Sequence, residues 1–495
     1  MNLLMSKSSM KLDLALRVLK SFDPAPALAG VRRKRALTVA RKASREVPAY
    51  RDFLKTHGWT PEDVQKISWS QWSQLPIADK DSYIRKYPLE ARCLNGRLPL
   101  RGKIDESGGT SGQPTEWVHS LEEEGPLLET IGLYRKIWWP DAEEIILVNA
   151  FSCGPWSGGV TMTLLLRHDM LVKTVGTDIE GVLQTLRSFG PKYQYIISGY
   201  PLFLSEILKK DFPWNEYRVD LITGGDAHSL GWQKQVEKRV NGRVVSAYGA
   251  SDVSMGLGVE TPLTHAIRSA LAEEEELRQQ LSWYGEVPMV FQFNPLNVLV
   301  EQNDRELVMT YLTPLKAHPV VRYNLHDEGR VLSYRELRGL ITSHSPSLAT
   351  LFERSHLRLP FLIVEGRSDG AISLDGANVQ PNQIEDILSG VPEVHRFKMA
   401  RRENPPHFVV LVEAEGAAAT DESLRARLSR ILKEELVRRN RDFAESLAAN
   451  PALAPQVVLL HSQHPIFLMD QRKYRWVVTE EVMDRYSIPL PPSEP

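Results

Sequence analysis

Short apolar runs alternate with amphipathic stretches through the middle of this 495-residue chain. The fully apolar run at 145–148 is typical of a strand buried on both faces, and strands are also predicted at 195–198, 220–223 and 243–246, each of which contains adjacent apolar residues. Helical spacing predicts the intervening helices at 181–189, 202–209 and 232–239. Strands that alternate with helices indicate a parallel sheet covered by helices.

The segments on either side follow different patterns. Residues 31–90 have helical spacing interrupted by Pro48, Pro61 and Pro76, which predicts short helices. After a helical region at 262–283, strands are predicted at 298–300, 306–310 and 320–323 with no long helix between them. This part is therefore expected to form an antiparallel subdomain.

A polar, glycine-flanked segment divides the chain after the apolar strand Phe361–Glu365. Gly366–Gly370 predicts a turn suited to a hinge, and a compact α+β pattern follows it. We therefore predict an α/β protein with two domains. Residues 1–365 would form a large domain of parallel sheet, covering helices and the antiparallel subdomain, and residues 366–495 a small mobile α+β domain.

Composition sets limits on function. The chain is too long for a single core, since cores stop growing at about 250–300 residues. With 60 basic and 62 acidic residues the net charge is −2, which gives no reason to expect binding to nucleic acid or an anionic membrane. Cys93 and Cys153 form no CxxC pair, which favours a reducing cytoplasm. No apolar run reaches the ~20 residues that span a bilayer, and Met1–Phe22 predicts an amphipathic helix, not a signal peptide.

The most informative segment is the loop Ser107–Thr115, in which glycines and hydroxyl residues crowd together. Glycine lets backbone N–H groups approach a ligand and hydroxyls add donors, so this composition suits a cradle for phosphate oxygens. The sequence Gly-Lys-Ser/Thr is missing from it, which argues against a Walker loop, and its glycine spacing is not that of a dinucleotide fingerprint. Taken alone, an ordinary surface turn stays an equal alternative.

Four later motifs follow this loop in a fixed order: Ser246–Asp252, Arg322–Asp327, Gly366–Asp369 and Lys473–Arg475. The set resembles the adenylate-forming superfamily, and most of all its phenylacetate-CoA ligase-like branch. The resemblance implies that ATP and Mg²⁺ activate a small carboxylic acid as an acyl-adenylate, with release of pyrophosphate. It further implies transfer of the acyl group to a thiol, with coenzyme A as the expected acceptor.

The same resemblance implies a role for each motif residue. Tyr248 would stack on adenine, Asp327 would hold the ribose, Asp252 would direct Mg²⁺, and Ser251 would lie near the α-phosphate. The phosphate loop would consist of Ser107, Gly108, Gly109, Thr110, Ser111 and Gly112. Further nucleotide-binding residues would be Gly224, Gly225, Asp226, Ala247, Gly249 and Arg322, with Arg367 and Lys473 as catalytic cations and Asp369 as the hinge.

Three residues depart from the superfamily pattern. Thr115 replaces a Lys or Arg that ends the loop in many members, and Asp252 replaces a Glu, so its metal contact could run through water. His326 stands where Gly is common, and we expect it to cap or pack. In Leu75–Asp81, which resembles a segment preceding the loop in the ligase-like branch, Asp79 is predicted to cap a helical turn.

The acid pocket is expected between the phosphate loop, the segment 151–159 and the strand ends at Gly224 and Ala247. Phe151 and Trp156 would make it apolar, which favours an aromatic or medium aliphatic acid. Since Gly256–Leu263 lacks Cys and His, no structural zinc is predicted.

Two alternatives stay open at this point. The acceptor could be the phosphopantetheine of a separate carrier protein or an amine. A nucleotide-binding scaffold without turnover is a second reading, which the three departures would support. The sequence decides neither the acid nor the oligomeric state.

Overall fold

The computed structural model describes residues 17–21, 23–107, 115–142, 144–225, 228, 230–282, 287–344, 346–353, 357–367, 372–375, 377–379, 384, 387–388, 391–403, 406–414, 416–462, 464–468 and 477–488. The chain divides into two compact units. The first takes in residues 1–107 and 116–368, and the second begins its main part at residue 369.

Three helices form the N-terminal part of the first unit: α1 (Ala25–Glu46), α2 (Pro48–Thr56) and α3 (Pro61–Lys66). Pro48 and Pro61 are the first residues of their helices, where a missing N–H costs nothing, so the predicted breaks are confirmed. The buried face of α1 includes Val39 and Ala43, which join a core with residues of the later antiparallel strands such as Leu299 and Met309.

Strands and helices then alternate as the apolar pattern predicts. The elements are β1 (Gly102–Ser107), β2 (Thr115–Ser120), α4 (Glu124–Trp138), β3 (Ile145–Asn149), α5 (Ser157–Leu166), β4 (Leu171–Thr174), α6 (Ile179–Phe189), β5 (Gln194–Gly199), α7 (Pro201–Leu208), β6 (Arg218–Gly224), α8 (Leu230–Val240), β7 (Val244–Ala250) and β8 (Ser254–Val259). While β1 and β2 form a separate two-stranded sheet, β3 to β7 pair side by side in parallel.

The central parallel strands β3, β5 and β6 are mostly buried on both faces, whereas β4 at the edge of the sheet is largely exposed. On one face Ile146 and Val148 pack in a core with residues of α6, α7 and α8. On the other, Ile145 and Leu147 pack with Trp138 of α4 and with neighbouring strands. This two-sided burial explains why adjacent residues such as Ile145 to Val148 are apolar and do not alternate with polar ones.

The remaining elements of the first unit extend the same sheet. They are α9 (Pro262–Glu273), α10 (Glu275–Leu281), β9 (Met289–Gln292), β10 (Val298–Asn303), β11 (Glu306–Tyr311), β12 (Tyr323–Leu332), α11 (Tyr334–His344), α12 (Thr350–Glu353) and β13 (Phe361–Arg367). The sheet has 11 strands in the order β10-β11-β12-β13-β9-β8-β7-β6-β5-β3-β4. In the half of this order that runs from β10 to β7, all neighbouring strands are antiparallel, as predicted. These strands continue the parallel half and do not form a separate sheet.

The predicted turn at Gly366–Gly370 starts inside a strand. Gly366 and Arg367 pair with Glu328 and Asp327, so β13 runs through the predicted start of the small domain. Tyr248–Ala250 are the end of β7, which leads into antiparallel β8 and not into a helix. Asp369, the predicted hinge, lies outside the described residues, and its role stays a prediction.

The second unit is a small α+β body. Its elements are β14 (Ile372–Leu374), β15 (Ala377–Val379), β16 (Val394–Glu403), β17 (Pro406–Ala414), α13 (Glu422–Arg439), α14 (Arg441–Ala449), β18 (Pro455–His461), α15 (Pro465–Leu468), β19 (Val477–Val478) and α16 (Glu480–Arg485). Strand β14 pairs with β15, and the other strands form a sheet in the order β18-β17-β16-β19. Helix α13 buries a stripe of leucines four residues apart: Leu424, Leu428, Leu432 and Leu436. The α/β class is confirmed.

Within the part of the chain that the structure describes, no helix is long and apolar enough to cross a membrane.

Candidate active site

The hairpin that carries the predicted phosphate loop is fixed at its base. Ser107 ends β1 and Thr115 begins β2. The Ser107 hydroxyl accepts hydrogen bonds from the Trp117 indole N–H at 2.8 Å and from the Lys80 ammonium at 3.3 Å. Lys80 therefore places a positive charge at the start of the loop. Gly108, Gly109, Thr110, Ser111 and Gly112 lie outside the described residues.

Lys80 is held by the turn Lys80–Ile84, which Asp79 caps as predicted. The Ser82 backbone N–H and hydroxyl both donate to Asp79 Oδ1, at 2.6 and 2.7 Å. The turn is tied to β12 through Ala78, whose N–H donates to the Arg322 carbonyl at 3.0 Å and whose carbonyl accepts from the Asn324 N–H at 2.7 Å. Two segments about 240 residues apart in sequence thus form one piece of structure.

Glycine is required where β6 ends. A Cβ on Gly224 would lie 2.7 Å from the Ala247 carbonyl oxygen, inside van der Waals contact. Gly225 has a φ of 84°, and a Cβ there would lie 2.9 Å from the Tyr200 ring. Only glycine fits both positions, so backbone is left uncovered at this strand end, where ligands bind in such sheets. Asp226 lies outside the described residues.

The predicted adenine and ribose residues contact each other directly. The Tyr248 hydroxyl donates a hydrogen bond to the Asp327 carboxylate. The Tyr248 ring stacks on Phe291 with its centroid 5.7 Å away, which leaves this tyrosine in a fixed orientation. Gly249 and Ala247 flank it on β7. Residues from two separate motifs are therefore close enough to hold one nucleoside.

Asp252 lies beyond the end of β7 and is held by a second tyrosine. Tyr323 O–H donates to Asp252 Oδ2 at 2.7 Å. Burial, with the Asp252 charge as a smaller cause, raises the pKa of Tyr323 well above its usual range, so the phenol stays a donor. Ser251 precedes Asp252 in this turn.

A magnesium ion that arrives with ATP fits this donor set. Mg²⁺ takes one or two carboxylates and completes its shell with phosphate oxygens and water. Asp252 supplies one fixed carboxylate. Among the described residues no group of three or more His, Cys, Asp or Glu could hold a metal ion without such a partner.

The Arg322 guanidinium faces the N-terminal segment. It is buried and donates to the Ser73 carbonyl at 2.6 Å and to the Leu75 carbonyl, and its Nε is 3.4 Å from Glu301 Oε1. These contacts anchor the segment that leads to Lys80. The proposed role of Arg322 as a cation beside the nucleotide stays a prediction.

His326 lies between two carboxylates beside Asp327. Its Nε2 is 3.4 Å from Asp79 Oδ2 and its Nδ1 is 3.2 Å from Glu306 Oε1. The hydrogen bond from His326 is the largest cause that holds the pKa of Asp79 well below its usual range. We expected His326 to cap or pack, and the structure shows that its ring also contacts two carboxylates.

The predicted acid segment adjoins the phosphate-loop hairpin. The Glu106 N–H donates to the Pro155 carbonyl at 2.8 Å, and Glu106 forms a parallel bridge with Trp156. Phe151 is buried and meets the Tyr200 ring edge-on, with centroids 4.9 Å apart. Aromatic side chains therefore border the region where the acid is expected.

The outcome for the predicted site residues divides into two groups. Those that the structure brings together near the end of β7 are Gly224, Gly225, Ala247, Tyr248, Gly249, Ser251, Asp252 and Asp327, and Ser107 is connected to them through Lys80, Asp79 and His326. Outside the described residues lie Gly108, Gly109, Thr110, Ser111, Gly112, Asp226, Lys473 and the side chain of Arg367, although the Arg367 backbone pairs with Asp327. Arg322 belongs to neither group, because its guanidinium faces the N-terminal segment. Sequence reasoning assigned no role to Lys80, Trp117 or Tyr323. Two of them had a signal, since Lys80 lies in the segment resembling the ligase-like branch and Tyr323 lies in the motif Arg322–Asp327.

Known proteins similar to this chain agree with the predicted resemblance. The phenylacetate-coenzyme A ligase of Escherichia coli (strain K12) is 24% identical over 381 residues, which cover 76% of this chain and 77% of that protein. The enzyme of the same name from Aromatoleum evansii is 23% identical over 358 residues, which cover 72% of this chain and 73% of that protein. A solved structure of 2-hydroxyisobutyryl-CoA ligase in complex with 2-HIB-AMP and CoA matches with a TM-score of 0.62 at 14% identity, over 94% of this chain and 92% of that one. No family model matches. The resemblance to the phenylacetate-CoA ligase-like branch of the adenylate-forming superfamily is confirmed.

Proposed function

We propose that this relative of the phenylacetate-CoA ligases is an AMP-forming acid–thiol ligase that uses ATP, Mg²⁺ and coenzyme A. The observation that carries the proposal is the contact between Tyr248 and Asp327, together with the hydrogen bond from Lys80 to Ser107 at the base of the predicted phosphate loop. These contacts support a single site in which separate motifs would bind the adenine, the ribose and the phosphates.

Two displacements make up the reaction. A carboxylate oxygen of the acid attacks the α-phosphorus of ATP, the bond to the bridging oxygen breaks, and pyrophosphate leaves. The thiolate of coenzyme A then attacks the acyl carbon, a thioester bond forms, and AMP leaves with the electron pair of the broken C–O bond. Neither step needs a nucleophilic side chain, so the protein contributes positioning and charge.

The described residues are suited to positioning ATP and to balancing its charge. Asp327 would accept the ribose hydroxyls, and Tyr248 would lie against the adenine. Lys80 and Ser107 would hold the β- and γ-phosphates with the loop that follows them. Bound Mg²⁺ would neutralise phosphate charge, and Asp252 would orient it.

The resemblance supplies the role of the C-terminal part. We propose that residues 366–495 move about Asp369 between the two steps, and that Lys473 serves the first. The ammonium of Lys473 would stabilise the charge that develops on the α-phosphate and the acid.

For the acid we propose an aromatic or medium aliphatic compound, because Phe151, Trp156 and Tyr200 border its expected position. A carrier-protein phosphopantetheine or an amine as acceptor is the alternative. Cys93 and Cys153 are both free thiols, which supports a cytoplasmic location.

Pyrophosphate release tests the first step. The protein is offered ATP, Mg²⁺ and a panel of aromatic and aliphatic carboxylic acids, and we expect release with at least one of them. Mass spectrometry of parallel reactions with coenzyme A, hydroxylamine and amines then identifies the acceptor. Retained ATP binding without release across the panel would favour a scaffold without turnover.

The variant Lys473→Ala tests the division between the steps. We expect adenylate formation to fall by about 100-fold or more, as when one transition-state donor is removed. Thioester formation from a supplied acyl-adenylate should stay close to the wild-type rate. Equal losses in both assays would contradict the role of Lys473.

A further inference from the structure

His326 has a backbone conformation that its residue type rarely adopts. Its φ is 60°, in the left-handed region, and it lies where three residues of β12 oppose Leu307 of β11. Outside glycine, such a conformation costs about 1 kcal/mol or more and persists only where other contacts hold it. The bulge determines the direction of the next residue, Asp327.

The contacts that hold His326 reach both ring nitrogens. Asp79 faces Nε2 at 3.4 Å and Glu306 faces Nδ1 at 3.2 Å. Since each nitrogen faces a carboxylate oxygen, both can donate only when the imidazole carries a positive charge. Glu306 is itself held by Asn324, whose amide donates to Oε2 at 2.5 Å.

Asp79 connects His326 with the phosphate side of the site. Its Oδ2 faces His326, while its Oδ1 caps the turn that begins at Lys80. The Lys80 ammonium in turn donates to the Ser107 hydroxyl. A continuous chain of contacts therefore joins the residue beside the ribose carboxylate to the cation at the phosphate loop.

We propose that His326 is a positioning residue for ATP, which sets the directions of Asp327 and Lys80 at the same time. It acts through the β12 bulge on one side and through Asp79 on the other, and it does not touch the reacting atoms. The proposal rests on the proposed nucleotide site.

Glycine gives a clean test, because it adopts a φ of 60° without strain. His326→Gly removes both contacts with the carboxylates, yet it should leave the fold stable. We expect the KM for ATP, measured by pyrophosphate release, to rise about 5- to 20-fold, while the KM for the acid changes less than about twofold. His326→Arg restores a cation with several donors and should recover most of the ATP affinity.

A second histidine–carboxylate pair offers the matched control. His265 Nε2 lies 3.8 Å from Glu237 Oε1 with similar exposure, away from the site residues in sequence. His265→Ala should leave both KM values within about twofold of wild type. Melting temperatures of all variants check that folding is not the cause.

Direct titration with Mg·ATP separates this inference from the proposed function. If no acid supports turnover but His326→Gly weakens ATP binding and His326→Arg restores it, the ligase proposal fails and the positioning role stands. Unchanged ATP binding in His326→Gly would overturn the positioning role. Equal increases in the KM for ATP and for the acid, or no recovery in His326→Arg, would overturn it as well.

Discussion

Replacement of Lys80 by Met is the sharpest test of the phosphate site. The side chain keeps its length and loses its charge. In the structure the ammonium donates to the Ser107 hydroxyl at 3.3 Å, at the first residue of the phosphate loop. When ATP binds, this cation would be near the β- and γ-phosphates.

The expected loss follows from the environment of Lys80. Hydrogen bonds to charged groups contribute about 1.5–3 kcal/mol. Lys80 is partly exposed, so solvent screens part of this interaction and about 1–2 kcal/mol is the better figure. That corresponds to a decrease of about 5- to 30-fold in kcat/KM for ATP. Thioester formation from a supplied acyl-adenylate should be unaffected, because the β- and γ-phosphates have already left.

Lys86→Met is the matched control. Lys86 follows the same turn and is exposed, so this variant makes the same change in charge without the contact to Ser107. Its kcat/KM for ATP should stay within about twofold of wild type. The reasoning is refuted if Lys80→Met retains wild-type kcat/KM for ATP, or if Lys86→Met loses as much.

Two further predictions concern stability. Arg268 and Glu260 form a fully buried ion pair at 2.8 Å, so Arg268→Ala should destabilise the first unit by about 3–5 kcal/mol in denaturant unfolding. As a control, Arg187→Ala breaks an exposed pair with Glu180 and should cost under about 1 kcal/mol. Similar losses of stability in the two variants would contradict this prediction. Burial lowers the pKa of His318 well below its usual range, so below about pH 6.5 this histidine is protonated in the unfolded chain and stays neutral in the folded one. The free energy of unfolding should therefore decrease as the pH falls, by up to about 1.4 kcal/mol per pH unit. In His318→Phe the pH dependence of the unfolding free energy between pH 5 and 6.5 should be smaller by about this amount per pH unit. An unchanged pH dependence would contradict a lowered pKa for His318.

Much of the fold could be predicted because burial leaves a local trace in the sequence. Strands β3, β5 and β6 are buried on both faces, and each reads as an apolar run between helical patterns. The order of the strands leaves no such trace. Placing β9 between β8 and β13 depends on pairing between residues about 70 positions apart, and so the merging of the two halves into one sheet was not predictable.

The site shows the same limit at the level of side chains. Motif order indicated Tyr248, Asp252 and Asp327, because each motif is contiguous in sequence. The partners that orient two of the site residues could not be found in this way. Asp252 is held by Tyr323, 71 positions away, and Ser107 by Lys80, 27 positions away. Such pairs become visible only when separate elements meet in space.

The departures from the superfamily pattern weigh less against turnover once their surroundings are known. Thr115 provides no cation at the end of the loop, but Lys80 provides one at its beginning. Asp252 is shorter than Glu, yet the bond from Tyr323 fixes its carboxylate, which suits it to orient a hydrated Mg²⁺. His326 replaces a residue that tolerates a left-handed φ, and its two carboxylate partners offset that strain. Each departure thus has a local contact that keeps a charged group in place, so the three departures do not by themselves favour a scaffold without turnover.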